Sequence, residues 1–230
     1  MTSDGGRLPA SYRHIPDYVN ITREILDKQI ETGLSNKTAL IFHGGRLSYG
    51  ELGRRVDELA WGLNDKGIGR GRKVLFRLPN CPEFAVAFLA VVKLGAVPVL
   101  QNSLLAQLEV EYVLEHSGAE AAITLDEYAQ PLRALKNRLP LGLVVARGAG
   151  AGETPFEELT GGSRNMNATE TGADDPAFMV YTSGTTGRPK GIVHCHRWVI
   201  ALGDSNRYRI PPEPGDVALA SGEWSFISAL

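Results

Sequence analysis

Apolar residues along this chain recur in two rhythms, and the way the rhythms alternate predicts its architecture. Ile21, Ile25, Leu26 and Ile30 stand near helical spacing within Val19–Ile30. Thr38–Phe42 reads as a strand, Gly44-Gly45 as a turn, and Arg46-Leu47-Ser48 as the returning strand. Ser48 and Glu51 have the spacing of a capping box, in which the hydroxyl and the carboxylate satisfy each other's backbone N–H groups. They should open a helix from Tyr49 to about Lys66, with Leu52, Val56, Leu59, Ala60 and Leu63 as its apolar stripe and Gly67 as its stop.

From there the pattern becomes strand, helix, strand. Val74–Leu78 is a short apolar run, Pro79-Asn80-Cys81-Pro82 a turn, and Glu83–Leu94 a segment apolar nearly all round, as a buried helix is. Ala96–Leu100 and Ala119–Thr124 read as strands separated by a helix over Leu104–His116. A further helix over Asp126–Arg138, with Asp126 as its N-cap, then leads to a strand at Gly142–Ala146. This alternation predicts an α/β fold: a doubly wound, mostly parallel sheet with flanking helices, whose ligands lie beyond the carboxyl ends of the strands. Residues 1–18 read as a flexible tail and 19–147 as a first α/β subdomain. Residues 148–175 read as a polar connection broken only by Phe156–Leu159, and 176–230 as the start of a second subdomain whose sheet begins at about Ala177.

Composition narrows the function classes. A hydrophobic content of 43%, 22% charged residues and a net charge of -2 describe a globular chain with no electrostatic case for nucleic acid. Two cysteines, Cys81 and Cys195, cannot form a disulfide framework, so the expected compartment is the reducing cytoplasm. No apolar run approaches the roughly 18 residues of a membrane span.

The candidate chemistry lies in Tyr181–Gly191, reading Tyr-Thr-Ser-Gly-Thr-Thr-Gly-Arg-Pro-Lys-Gly, directly after the apolar run Ala177–Tyr181. A loop of small residues leaving a strand can turn its backbone N–H groups towards a polyphosphate, with hydroxyl donors and a lysine point charge added. Thr182, Ser183, Thr185, Thr186 and Lys190 supply those groups. Gly184 and Gly187 let phosphate approach where a Cβ would block it. The run is not a Walker loop, because Pro189 intervenes before Lys190 and holds Arg188 extended.

All eleven residues closely resemble the phosphate-binding loop of the adenylate-forming superfamily, which includes acyl- and aryl-CoA ligases, peptide-synthetase adenylation domains and luciferases. Pro79-Asn80 with Glu83-Phe84, Lys93–Ala96, and Leu108-Glu109 to Ser117–Ala119 resemble scaffold stretches of the same family. The resemblance implies ATP and coenzyme A as co-substrates, a small carboxylic acid as partner, and Mg2+. It also implies that residues 1–230 are an amino-terminal portion. The acid that helps hold magnesium, the ribose-binding aspartate, the hinge and the catalytic lysine would then lie elsewhere, with no catalytic residue in this stretch. A non-catalytic nucleotide-binding or regulatory module, and a fragment with no function of its own, are the alternative readings.

Other clusters carry less. His194-Cys195-His196 invites a metal, but on a strand the two histidines share one face and the cysteine takes the other, so helix-start packing is the expected role. Asp174-Asp175 and the basic turn Gly67–Lys73 read as solvated. Gly222–Phe226 departs from the family's acyl-pocket stretch, and Trp224 and Phe226 either face a carboxylate substrate or pack into the core. Trp224, Phe226, Ile227 and Leu230 are expected to lack partners within these residues and to promote self-association.

Overall fold

The computed structural model describes residues 13–162, 164–182, 188–209, 211, 213, 215–219 and 222–225. After a helical segment over 21–34, strands β1 (Thr38–Phe42) and β2 (Gly45–Ser48) form an antiparallel hairpin. Helix α1 (Tyr49–Asp65) follows, opened by the expected capping box: Glu51 N–H donates to Ser48 Oγ at 3.2 Å and Ser48 N–H to Glu51 Oε2 at 2.8 Å. Then come β3 (Lys73–Arg77), α2 (Pro82–Lys93), β4 (Val97–Leu100), α3 (Gln107–Ser117), β5 (Ala121–Leu125) and the short α4 (Gln130–Arg133). The chain continues through β6 (Gly142–Ala146), β7 (Thr154–Pro155), α5 (Phe156–Leu159), β8 (Pro176–Thr182), β9 (Lys190–Cys195) and α6 (Trp198–Arg209).

Seven of these strands make one sheet in the order β7-β6-β5-β3-β4-β8-β9, parallel throughout except that β9 runs antiparallel to β8. Its two faces are sorted by residue parity. Val74, Phe76, Ile123, Val144 and Phe178 join α1 and α2 in one core. Leu75, Val99, Ala122, Val145 and Tyr181 join Val110, Val113 and Leu114 of α3, and Leu132, in the other. Helix α2 is buried nearly all round because α1 covers the side that the sheet does not. The doubly wound expectation is met.

Three expectations are corrected. No second sheet begins at Ala177, since β8 pairs in parallel with β4 (Val99 opposite Met179, Leu100 opposite Val180) inside the first sheet. Asp126 caps no long helix: its carboxylate binds Arg133 at 2.7 Å, and 126–138 breaks into short turns around Pro131. The helix expected from Leu104 starts only at Gln107, because the Glu109 carboxylate reaches back to Ala106 N–H at 2.9 Å and fixes the start there. The amino-terminal segment is also more engaged than a tail would be. Residues 1–12 lie outside the described part, but Ile15 and Val19 are buried with Ala173. Tyr18 bridges Gly172, and Thr171 Oγ1 donates to Val19 O at 2.6 Å.

The end of α2 is fixed by charge. Lys93, 3% exposed, places Nζ 2.9 Å from Asp27 Oδ1 and 2.5 Å from Asp57 Oδ1, tying α2 to the amino-terminal helical segment and to α1. Desolvation raises the Asp57 carboxyl above its ordinary value despite that lysine. Removing Lys93 would leave two partly buried carboxylates facing each other, so Lys93→Ala should cost about 3–5 kcal/mol in chemical denaturation. Adding Asp27→Asn should recover part of that loss. A Lys93→Ala variant as stable as the parent would remove the triad from the account.

Candidate functional site: the β8–β9 hairpin

Strand β8 leaves the sheet at its carboxyl edge, and residues 183–189 connect it to β9, with Thr182 opposite Lys190 and Tyr181 opposite Gly191. Ser183, Gly184, Thr185, Thr186 and Gly187, five of the seven candidate phosphate ligands, lie outside the described residues. The other two are described. Thr182 is half-buried and closes β8; Lys190 is exposed, opens β9 and enters no ion pair among the described residues. At Gly191 a Cβ would fall 2.9 Å from Met179 Sδ and 3.0 Å from Tyr181 Cζ, so a side chain there would make both neighbours shift.

The surroundings include residues that the motif did not point to. Tyr181 is 5% exposed, and its hydroxyl meets His116 Nδ1 at 2.6 Å. Burial pushes that phenol up to about 12, so it stays protonated. The His116 ring stacks on Tyr112 with centroids 5.4 Å apart, and the Arg188 guanidinium lies 5.7 Å from the Tyr112 ring centroid. Tyr112, His116, Arg188, Pro189, Lys190 and Gly191 line an open depression of about 410 Å³. The spacing of Tyr112 and His116, four apart on one helix, was the only sequence signal for this group.

One row further along the sheet, buried Arg77 donates through Nε to Tyr128 O at 2.9 Å and through Nη2 to Leu105 O at 3.0 Å. It thereby pins the loops that follow β5 and precede α3. Gln101, 1% exposed, leaves both amide atoms without a hydrogen-bond partner among the described residues. Nothing in the structure explains this.

The remaining candidates are structural. His194 stacks on Phe178 with centroids 4.7 Å apart, edge-on to Trp198. His196 lies past the end of β9, fully buried, and its Nδ1 accepts from Ile21 N–H at 3.3 Å. Asp174 and Asp175 are open to solvent as expected and are also ion-paired: Asp174 with Arg197 and Asp175 with Arg70, while Asp175 also accepts from Gly172 N–H at 2.9 Å. The basic turn is likewise tied down, with Arg72 on Glu120 and Lys73 donating to Ser117 O. Trp224 packs edge-on against Phe84, centroids 5.5 Å apart, and Asn80 bonds both Gly222 O and Trp224 N–H, so this aromatic has partners; Phe226, Ile227 and Leu230 lie outside the described residues.

A model of the AMP-binding enzyme family matches residues 26–230. The chain belongs to the AMP-binding enzyme family. Among its relatives in that family is the 3-hydroxybenzoate–CoA ligase of Aromatoleum sp. (strain CIB), 31% identical over 215 residues that cover 92% of this chain and 41% of the relative. The benzoate–CoA ligase of Thauera aromatica is 33% identical, covering 79% of this chain and 35% of its own length. Among solved AMP-binding enzymes, the anthranilate CoA ligase AuaEII in complex with anthranoyl-AMP superposes with a TM-score of 0.76 at 28% identity. That match covers 81% of this chain and 36% of AuaEII. The chain thus spans about two-fifths of the length of the curated relatives it matches.

His196 generates a pH prediction. Desolvation pushes its imidazole down to about 4, against an ordinary value near 6.5. The unfolded chain therefore takes up a proton that the folded chain refuses. The resulting stability is complete above about pH 6.5, is lost as pH falls towards about 4, and amounts to something on the order of 3 kcal/mol. Thermal melts from pH 7 to 4 should show a steeper acid-side loss in the parent than in His196→Asn, whose amide oxygen can still accept from Ile21 N–H. Parallel curves would count against a buried neutral His196.

Proposed function

We propose that residues 1–230 are the phosphate-holding portion of an AMP-forming carboxylate–CoA ligase. In the whole protein, a carboxylate oxygen attacks the α-phosphorus of ATP, the bond to the β-phosphate oxygen breaks, and pyrophosphate leaves. The thiol of coenzyme A then attacks the acyl carbonyl and expels AMP. The observation that carries this reading is the run Tyr181–Gly191, joining β8 to β9 at the carboxyl edge of a sheet whose chain matches the AMP-binding family.

In this reading Lys190 meets the β- and γ-phosphates as a point charge. Thr182, Ser183, Thr185 and Thr186 donate hydroxyl hydrogen bonds, and Gly184 and Gly187 admit phosphate close to the backbone. Magnesium, which such a reaction uses to neutralise phosphate charge, finds no cluster of three His, Cys, Asp or Glu among the described residues. Aromatic acids are the first substrates to try, because the relatives named above include ligases of 3-hydroxybenzoate, benzoate and anthranilate. The cytoplasm is the compartment this reading assumes, and the free thiols Cys81 and Cys195 suit it. No described helix is long and apolar enough to cross a membrane.

Two measurements test the reading. In the whole protein, Lys190→Ala should leave the melting temperature nearly unchanged, because Lys190 is exposed, while slowing carboxylate-dependent pyrophosphate exchange roughly ten- to a hundredfold. Unchanged exchange would take Lys190 out of the site. Residues 1–230 alone should give no exchange above a control without carboxylate, since the ribose-, magnesium- and lysine-bearing groups are assigned outside them. Exchange by this stretch alone would mean that the catalytic set has been misassigned.

A further inference from the structure

Helix α3 touches the chain on both sides of residues 183–187. On the near side Tyr181 is buried, and a buried phenol needs a hydrogen-bond partner or pays its full desolvation. Its partner is His116, 2.6 Å away on α3. On the far side the Arg188 guanidinium lies over Tyr112, one helical turn before His116 and stacked on it. Tyr112 and His116 are thus one unit that contacts the residue leaving β8 and the residue approaching β9. Val110, Val113 and Leu114 make the buried core contacts of α3, Tyr112 packs half-buried against the same cluster, and His116 is exposed, so the core of α3 does not call for His116. A Cβ at Gly191 would come within 3.0–3.2 Å of the Tyr181 ring, which would have to give way.

We propose that Tyr112 and His116 are positioning residues for the phosphate loop, a clamp on α3 that fixes Tyr181 and Arg188 and so presets the span that the loop must bridge around ATP. The inference rests on the reading of residues 181–191 as a phosphate loop. Any freedom lost around ATP by the five small residues Ser183 to Gly187 is a cost set against binding. Anchoring the two ends of that run beforehand reduces that cost. Neither residue is placed to touch the carboxylate, so the clamp should act on ATP and leave the acid alone.

The test is pyrophosphate exchange by the whole protein with benzoate or 3-hydroxybenzoate. His116→Ala and Tyr181→Phe should each raise the KM for ATP about three- to tenfold, the worth of one net hydrogen bond, with the KM for the acid unchanged. The double variant should be no worse than either single one, and His116→Gln should recover most of the loss. Equal shifts in both KM values, or additive losses in the double variant, would overturn the clamp. If the parent exchanges with no carboxylate, the proposed function fails, and hydrogen exchange on residues 1–230 then judges the clamp by itself. Backbone amides over 181–192 should exchange about three- to tenfold faster in His116→Ala than in the parent, with those of β3 and β5 unaltered. Equal rates over 181–192 would overturn it.

Discussion

The parallel ladder between β4 and β8 is the constraint on which the site depends. Val99 and Leu100 align with Met179 and Val180 although nearly eighty residues separate the two strands, and the parallel sense puts the end of β8 at the same edge as the ends of β3, β4 and β5. In a doubly wound sheet that edge carries the ligand crevice. Closing so long a connection is entropically unfavourable but grows only slowly with length, and burial offsets it. Phe178 is fully buried, against Phe88 at 5.8 Å, His194 at 4.7 Å and Trp198 at 5.1 Å between centroids. An antiparallel β8 would carry Tyr181 and Thr182 to the opposite edge, away from His116 of α3.

Charge is distributed to the same effect. Around the amino edge, where β3 and β8 begin, Arg70 pairs with Asp175, Arg72 with Glu120 and Arg197 with Asp174. Each exposed pair is worth little in stability, but together they fix the lead-in to both strands. At the hairpin on the opposite edge, Arg188 and Lys190 enter no ion pair among the described residues. Elsewhere on that edge cations are paired, Arg147 with Glu83 and Arg133 with Asp126 and Glu153. A cation neutralised by a neighbouring carboxylate has little field left for a phosphate, so the two exposed cations at the hairpin suit the anion site proposed there.

What the sequence disclosed follows from range. The capping box at Ser48 and Glu51 is a contact three residues long and was readable, as were the strand–helix alternation and the run at 181–191. The place of β8 was not, because strand order is set by which apolar faces meet after collapse, and a polar stretch such as 148–175 looks the same whether it separates two sheets or returns to one. The broken turns over 126–138 escaped for a related reason: the Asp126–Arg133 contact competes with the cap that Asp126 could have made. No local pattern beyond their spacing marks His116 and Tyr112, because their partners, Tyr181 and Arg188, come from residues far along the chain.

Strand β8 shows how stability and site geometry can be held apart within seven residues. Phe178 and Val180 face α1 and α2 and belong to the larger core, while Tyr181 faces α3 and belongs to the smaller one. Because side chains alternate along a strand, the two roles share a backbone but not a surface. A one-residue slip against β4 would exchange them, driving the Tyr181 hydroxyl into an apolar layer with no acceptor and turning Phe178 towards α3, so the register is fixed by a penalty on both faces at once. The residues that follow in the sequence, Ser183 to Gly187, carry no apolar side chain, which suits the phosphate role proposed for them.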